Sequence, residues 1–117
     1  GNLGRALIEN FHFELSGFHL AAAFDVAPGI VGTVMSGVPI YHIDTLEEYL
    51  AGHSTSVGVL TVPRRVAAET AARLVAGGVR GLWNFTNIEL DLRGSDVVVE
   101  NVHFADSLLA LSYMISE

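Results

Sequence analysis

The chain has 117 residues, half of them hydrophobic, with a net charge of −7 and no cysteine. That length fits one domain, and the lack of cysteine excludes disulfides and thiolate metal sites. The acidic balance, with all six basic residues arginine, excludes a surface that grips nucleic-acid phosphates by itself.

The chain opens on Gly1-Asn2-Leu3-Gly4-Arg5-Ala6-Leu7, and Leu3, Ala6, Leu7 and Phe11 recur at helical spacing, predicting a helix from Leu3 to Glu14 that stops at Ser16-Gly17. An apolar strand, Phe18 to Phe24, then closes on Asp25. Gly-x-x-Gly opening a helix, with an acid after the next strand roughly 20 residues on, is the latter part of a dinucleotide-binding fingerprint. In that motif Gly1 lets the backbone approach a pyrophosphate, Gly4 lets helix and strand pack closely, and the helix start aims N–H groups at phosphate. Asp25 would accept hydrogen bonds from the adenosine ribose, a preference for NAD(H) over NADP(H). The half-motif alone is equally a Gly-rich turn that starts a helix. A complete fingerprint needs a strand and one more Gly ahead of Gly1, so the sequence is expected to be a fragment that folds poorly without that central strand.

Beyond Asp25, Pro28 and Gly29 mark a turn, Ile30–Val34 a poorly specified connection, and Gly37–Tyr41 an extended piece whose Pro39 points to a sheet edge. Asp44 to Leu50 reads as a helix with Asp44 as N-cap and Glu47 completing a capping box. A buried strand, Val57–Val62, ends at Pro63. Arg64–Ala76 is an amphipathic helix with Val66, Ala67, Thr70 and Leu74 on one face and Gly77-Gly78 as its stop. Strands come next at Val79–Phe85, Ile88–Leu92 and Val97–Val102, with a turn at Arg93–Asp96, and a last, all-round apolar helix runs from Ala105 to Ser116. Strands alternating with helices give an α/β fold, a Rossmann-type doubly wound and mostly parallel sheet.

The five histidines are scattered without ligand spacing, so no metal site is expected. Asn84-Phe85-Thr86 matches an N-glycosylation acceptor by coincidence. No apolar run reaches bilayer length and no signal peptide is visible, so a soluble, cytoplasmic protein without membrane contact is expected.

Taken together, Gly1–Leu7, Ala22-Ala23-Phe24-Asp25-Val26, Leu60-Thr61-Val62-Pro63, Asn84-Phe85 and Val99-Glu100-Asn101-Val102 resemble, in order, the C-terminal domain of the Rex family of redox-sensing transcriptional repressors. The resemblance implies a homodimeric repressor that senses NADH against NAD+ and is not an enzyme, with no catalytic residues. It also implies operator DNA bound through an N-terminal winged-helix domain absent from this sequence, and release from DNA by NADH. It divides the chain into a dinucleotide-binding domain over 1–104 and a dimerisation helix over 105–117 that is exchanged between subunits. Residue by residue, it puts the backbone of Gly1, Asn2, Leu3 and Gly4 on the pyrophosphate and Asp25-Val26 on the adenosine ribose. Thr61-Val62-Pro63 would run past the middle of the cofactor, with Asn84-Phe85 and His103 near the nicotinamide, and Phe104 would reach the partner's pocket.

Three positions depart from the family pattern: His103 stands for an Asp, Asn10 for a Tyr, and Thr86-Asn87 for Ala-Pro. Trp83 reads as a core aromatic rather than a ligand contact. The competing readings are an NAD-dependent enzyme, against which stands the lack of any lysine or Tyr-x-x-x-Lys pair, a coenzyme A-binding module, against which Asp25 argues because that ligand carries a ribose phosphate, and a Rex-like domain that dimerises but has lost sensing, which the three departures favour.

Overall fold

The computed structural model describes residues 2–10 and 17–102. They form two compact units, divided after Leu46, the first with a mixed sheet and the second with an all-parallel sheet, with flanking helices of the Rossmann type. The hydrogen-bonded ladders make two three-stranded sheets where the sequence predicts one.

In the first unit helix α1, Asn2–Asn10, buries Leu3 and Leu7, one helical turn apart. Asn10 donates its side-chain Nδ2 to the Ala6 carbonyl at 2.9 Å, and the predicted continuation to Glu14 lies outside the described residues. The first sheet has the order β1-β3-β2, with β1 at Ala23–Asp25, β2 at Val34–Met35 and β3 at Val38–His42. β1 is much shorter than the predicted Phe18–Phe24, and Phe18 is 53% exposed. Pro39 supplies the reason. Ile40 turns both its N–H and its C=O toward Gly32–Thr33, so by strand alternation Pro39 and Tyr41 face β1. Pro39 has no N–H to give, and the parallel ladder begins only at Ala23↔Ile40. Far from marking an edge, Pro39 lies on the middle strand. The connection read as poorly specified holds β2, which pairs antiparallel with β3 through the two-residue turn Ser36-Gly37. Both turn residues have positive φ, 50° and 80°, the type I′ geometry that matches strand twist.

His42, not Asp44, caps the turn after β3. Its backbone is still extended, and its side chain accepts the Asp44 N–H at 3.1 Å, while Asp44 already lies inside the 3₁₀ turn Ile43–Thr45. Helix α2 then runs Leu46–Gly52.

The second unit has the all-parallel order β4-β5-β6: Val57–Leu60, Gly81–Asn84 and Val98–Asn101. Helix α3 spans Arg64–Ala76 as predicted and buries Ala67, Thr70, Ala71 and Leu74; Ala71 takes the place expected of Val66. A Cβ on Gly58 would come within 2.9 Å of Leu74 Cδ1 and 3.2 Å of Leu82 Cδ2, so glycine is what lets α3 settle onto β4. Ile88–Leu92 alternates between half-buried and exposed yet joins no ladder. It belongs to the crossover that must return the chain to the start of the parallel strand β6.

Glu47 does not complete a capping box. It receives Arg73 Nε at 2.5 Å and a second guanidinium nitrogen at 2.6 Å, pinning the start of α2 to the end of α3. The Arg73 hydrogen bonds hold its carboxyl down from 4.5 to about 2. A depressed carboxyl stabilises the fold above its unfolded pKa and loses that contribution as pH falls through the folded one. Glu47→Gln should therefore lower the urea midpoint slightly at neutral pH, and the gap to wild type should close between about pH 5 and about pH 2. A gap that is constant with pH would reject this.

Candidate functional site

The residues singled out in the sequence fall into two groups, one in each unit. Gly1, His103, Phe104 and the predicted helix from Ala105 to Ser116 lie outside the described residues.

In the first unit Asn2, Leu3 and Gly4 form the first turn of α1, which carries no acidic residue. A helix start of this kind, with its positive dipole end, is suited to complement an anion. Leu3 is buried, so only its backbone is available to a ligand. Asp25 ends β1. Its Oδ1 accepts the N–H groups of Val26 at 2.7 Å and Ala27 at 3.2 Å, an Asx turn that bends the chain away from the strand and fixes the carboxylate. Burial pushes the Asp25 carboxyl up, while the Ala27 and Val26 N–H groups that donate to it pull it down. It is a carboxylate at neutral pH, suited to accept from a diol. Val26, beside it, is 63% exposed.

In the second unit Thr61, Val62 and Pro63 link the end of β4 to α3, with Pro63 as its N-cap residue. Leu60 and Asn84 are register partners, and Phe85 N–H donates to the Leu60 carbonyl at 2.9 Å. Thr61 and Phe85 thus leave the sheet side by side at its carboxyl edge, where parallel α/β sheets take ligands. Phe85 is turned inward, 7% exposed, with its ring edge-on to Trp83 at 4.7 Å.

Asn84 is 1% exposed. Its Nδ2 donates to the Ile88 carbonyl at 2.8 Å and to Asn101 Oδ1 at 2.9 Å, and its Oδ1 accepts the Thr86 N–H at 3.0 Å and the Thr86 hydroxyl at 2.6 Å. A nitrogen so buried and bonded is no glycosylation acceptor. Thr86 and Asn101 carry no role in the sequence reading. In the sequence Thr86 stands out only as a departure from the family pattern and Asn101 only within the Val99–Val102 segment of the resemblance. Asn87 has φ 59°, a conformation closed to proline.

Among the described residues, no three His, Asp or Glu side chains gather as a metal site, and no helix is long and apolar enough to cross a membrane.

A family model described as CoA binding domain matches residues 1–88. The chain belongs to the CoA-binding domain family. It is also similar along its whole length to redox-sensing transcriptional repressors Rex. The Rex of Caldicellulosiruptor bescii is 46% identical over 117 residues, covering 100% of this chain and 54% of that protein. The Rex of Thermoanaerobacter sp. is 40% identical over 117 residues, 100% of this chain and 52% of the relative. The crystal structure of RSP, a Rex-family repressor, superposes with a TM-score of 0.84 at 39% identity, covering 99% of this chain and 55% of that one. RSP in complex with beta-NADH gives 0.83 at 39% identity, covering 99% and 56%, and RSP with beta-NAD+ and operator DNA gives 0.82 at 39%, covering 99% and 53%. The chain spans about half the length of the curated relatives it matches. The resemblance to the C-terminal domain of Rex is borne out, and with it the Rossmann-type fold.

Proposed function

We propose that this CoA-binding-family chain is the NAD(H)-binding and dimerisation domain of a redox-sensing transcriptional repressor, a sensor and not an enzyme. The observation that carries the reading is the end-to-end similarity to Rex, 46% identical over 117 residues. The site chemistry supports it. An acid-free helix start at Asn2–Gly4 suits a pyrophosphate, and an ionised Asp25 suits a ribose with both hydroxyls free. Bound there, the dinucleotide supplies the redox difference; the chain supplies its recognition. The backbone of Gly1, Asn2, Leu3 and Gly4 would hold the phosphates, Asp25 and Val26 the adenosine, Thr61, Val62 and Pro63 the middle, and the Asn84-Phe85 loop with His103 the nicotinamide end. Residues 1–104 would be the nucleotide domain and 105–117 a helix exchanged within a homodimer, with Phe104 acting on the partner's site. Operator DNA would be read by an N-terminal domain, and the protein would work in the cytoplasm, releasing DNA when NADH binds.

The family match to CoA-binding domains favours a second reading, coenzyme A as ligand. Calorimetric titration of the full-length protein with NADH, NAD+ and coenzyme A separates the two. Tight NADH binding with weaker NAD+ binding supports the sensor, and binding of coenzyme A alone rejects it.

His103 tunes the ratio in this reading. A carboxylate beside the positively charged oxidised nicotinamide favours NAD+, and a neutral imidazole does not. His103→Asp should narrow the NADH/NAD+ affinity ratio by about fivefold, about 1 kcal/mol of charge interaction in a partly solvated site. An unchanged ratio in the same titrations would reject the role.

A further inference from the structure

An amide has two donor positions and an oxygen that accepts twice, and Asn84 fills all four within the protein. Its orientation is forced, because the Ile88 carbonyl can only accept and the Thr86 N–H can only donate. The bonds tie three pieces of chain to one side chain: the turn at Thr86, the loop exit at Ile88 and, through Asn101, the end of β6. A main-chain bond from the Val102 N–H to the Asn84 carbonyl at 2.9 Å doubles the link to β6. The loop so braced includes Asn87 at φ 59°, a conformation that costs a non-glycine residue energy and persists only where its surroundings over-determine it. It emerges at the carboxyl edge of the sheet beside Thr61.

A side chain with no hydrogen-bonding capacity left has none for a ligand. We infer that Asn84 and Asn101 form a clasp that positions the 85–88 loop for the nucleotide, Asn84 acting through the loop rather than touching the cofactor. This rests on the proposed binding of NADH at this edge. Asn101 is the exposed half of the clasp, so its side chain can be removed without hollowing the core.

The test uses the full-length protein as wild type, Asn101→Ala and Asn101→Asp, with NADH titrated by calorimetry and amide hydrogen exchange followed at Thr86 and, as a control inside β5, at Leu82. Asn101→Ala should weaken NADH roughly three- to tenfold, the worth of one hydrogen bond. It should also speed exchange at Thr86 and leave Leu82 unchanged. Asn101→Asp keeps an acceptor for Asn84 and should return both readouts toward wild type. Wild-type affinity in Asn101→Ala overturns the clasp, whether Thr86 loosens, which would make the pair structural only, or does not. A wild type that binds no NADH overturns the functional reading itself and the clasp's role with it.

Discussion

Asp25→Ala should weaken NADH binding about 10- to 100-fold, since hydrogen bonds to a charged group contribute about 1.5–3 kcal/mol. The protein's melting temperature should stay within about 4 °C of wild type, because of the two N–H groups that lose their acceptor Val26's lies at the surface and turns to water, and Ala27's, only part-buried, makes the longer bond at 3.2 Å. The carboxylate is the chain's one acidic group at the end of the strand after α1. Its Oδ1 is held by a turn built from its own next two residues, and an ordinary carboxylate is ionised well below neutral pH, so affinity that depends on it should not titrate at about pH 7. The charge also decides against a phosphorylated ribose. Wild type should reject NADPH, and Asp25→Ala should bind NADH and NADPH with affinities within about threefold of each other, the discriminating charge being gone. The same titrations check both statements. Equal binding of NADH and NADPH by wild type would remove Asp25 from the ribose.

Legibility in the sequence goes with locality. Helix α3 is legible to the residue because its start at Pro63, its stop at Gly77-Gly78 and its apolar face all sit within one continuous stretch. Asp25 and Thr61–Pro63 stand out for the same reason, each being the residue or segment that ends an apolar strand. The failures share a different cause. The β2–β3 hairpin depends on Ser36 adopting positive φ, which its residue type does not announce. The alternation of Ile88–Leu92 imitates a strand but has no ladder to join, because periodicity reports which side chains are covered and not what covers them. The capping box loses to tertiary context: Glu47 finds Arg73, 26 residues away. The Asn84 network is the clearest case. It needs the register that sets Leu60, Asn84 and Asn101 side by side on three strands, and no local pattern encodes that register.

That network sets the largest stability effect. Asn84→Leu keeps the branching and heavy-atom count of the side chain in a bulkier form and should cost about 3–5 kcal/mol, as much as hollowing the core at a buried leucine. The cost is in the partners left behind. The Thr86 N–H and hydroxyl are buried and lose their acceptor outright, at about 1–3 kcal/mol each. The Ile88 carbonyl is half-buried and loses less, and exposed Asn101 recovers water. Asn84→Asp separates the donors from the acceptors. It still accepts from Thr86, but sets a carboxylate against the Ile88 carbonyl and Asn101 Oδ1, so it should fall between wild type and Asn84→Leu. Urea unfolding followed by Trp83, the sole tryptophan, reads the series, because its ring packs on Phe85 in the same segment. A domain holds only about 5–15 kcal/mol in total, so Asn84→Leu should lie near the margin of folding. A loss below about 1 kcal/mol would mean that water reaches the stranded groups and that the loop is not fixed by this side chain.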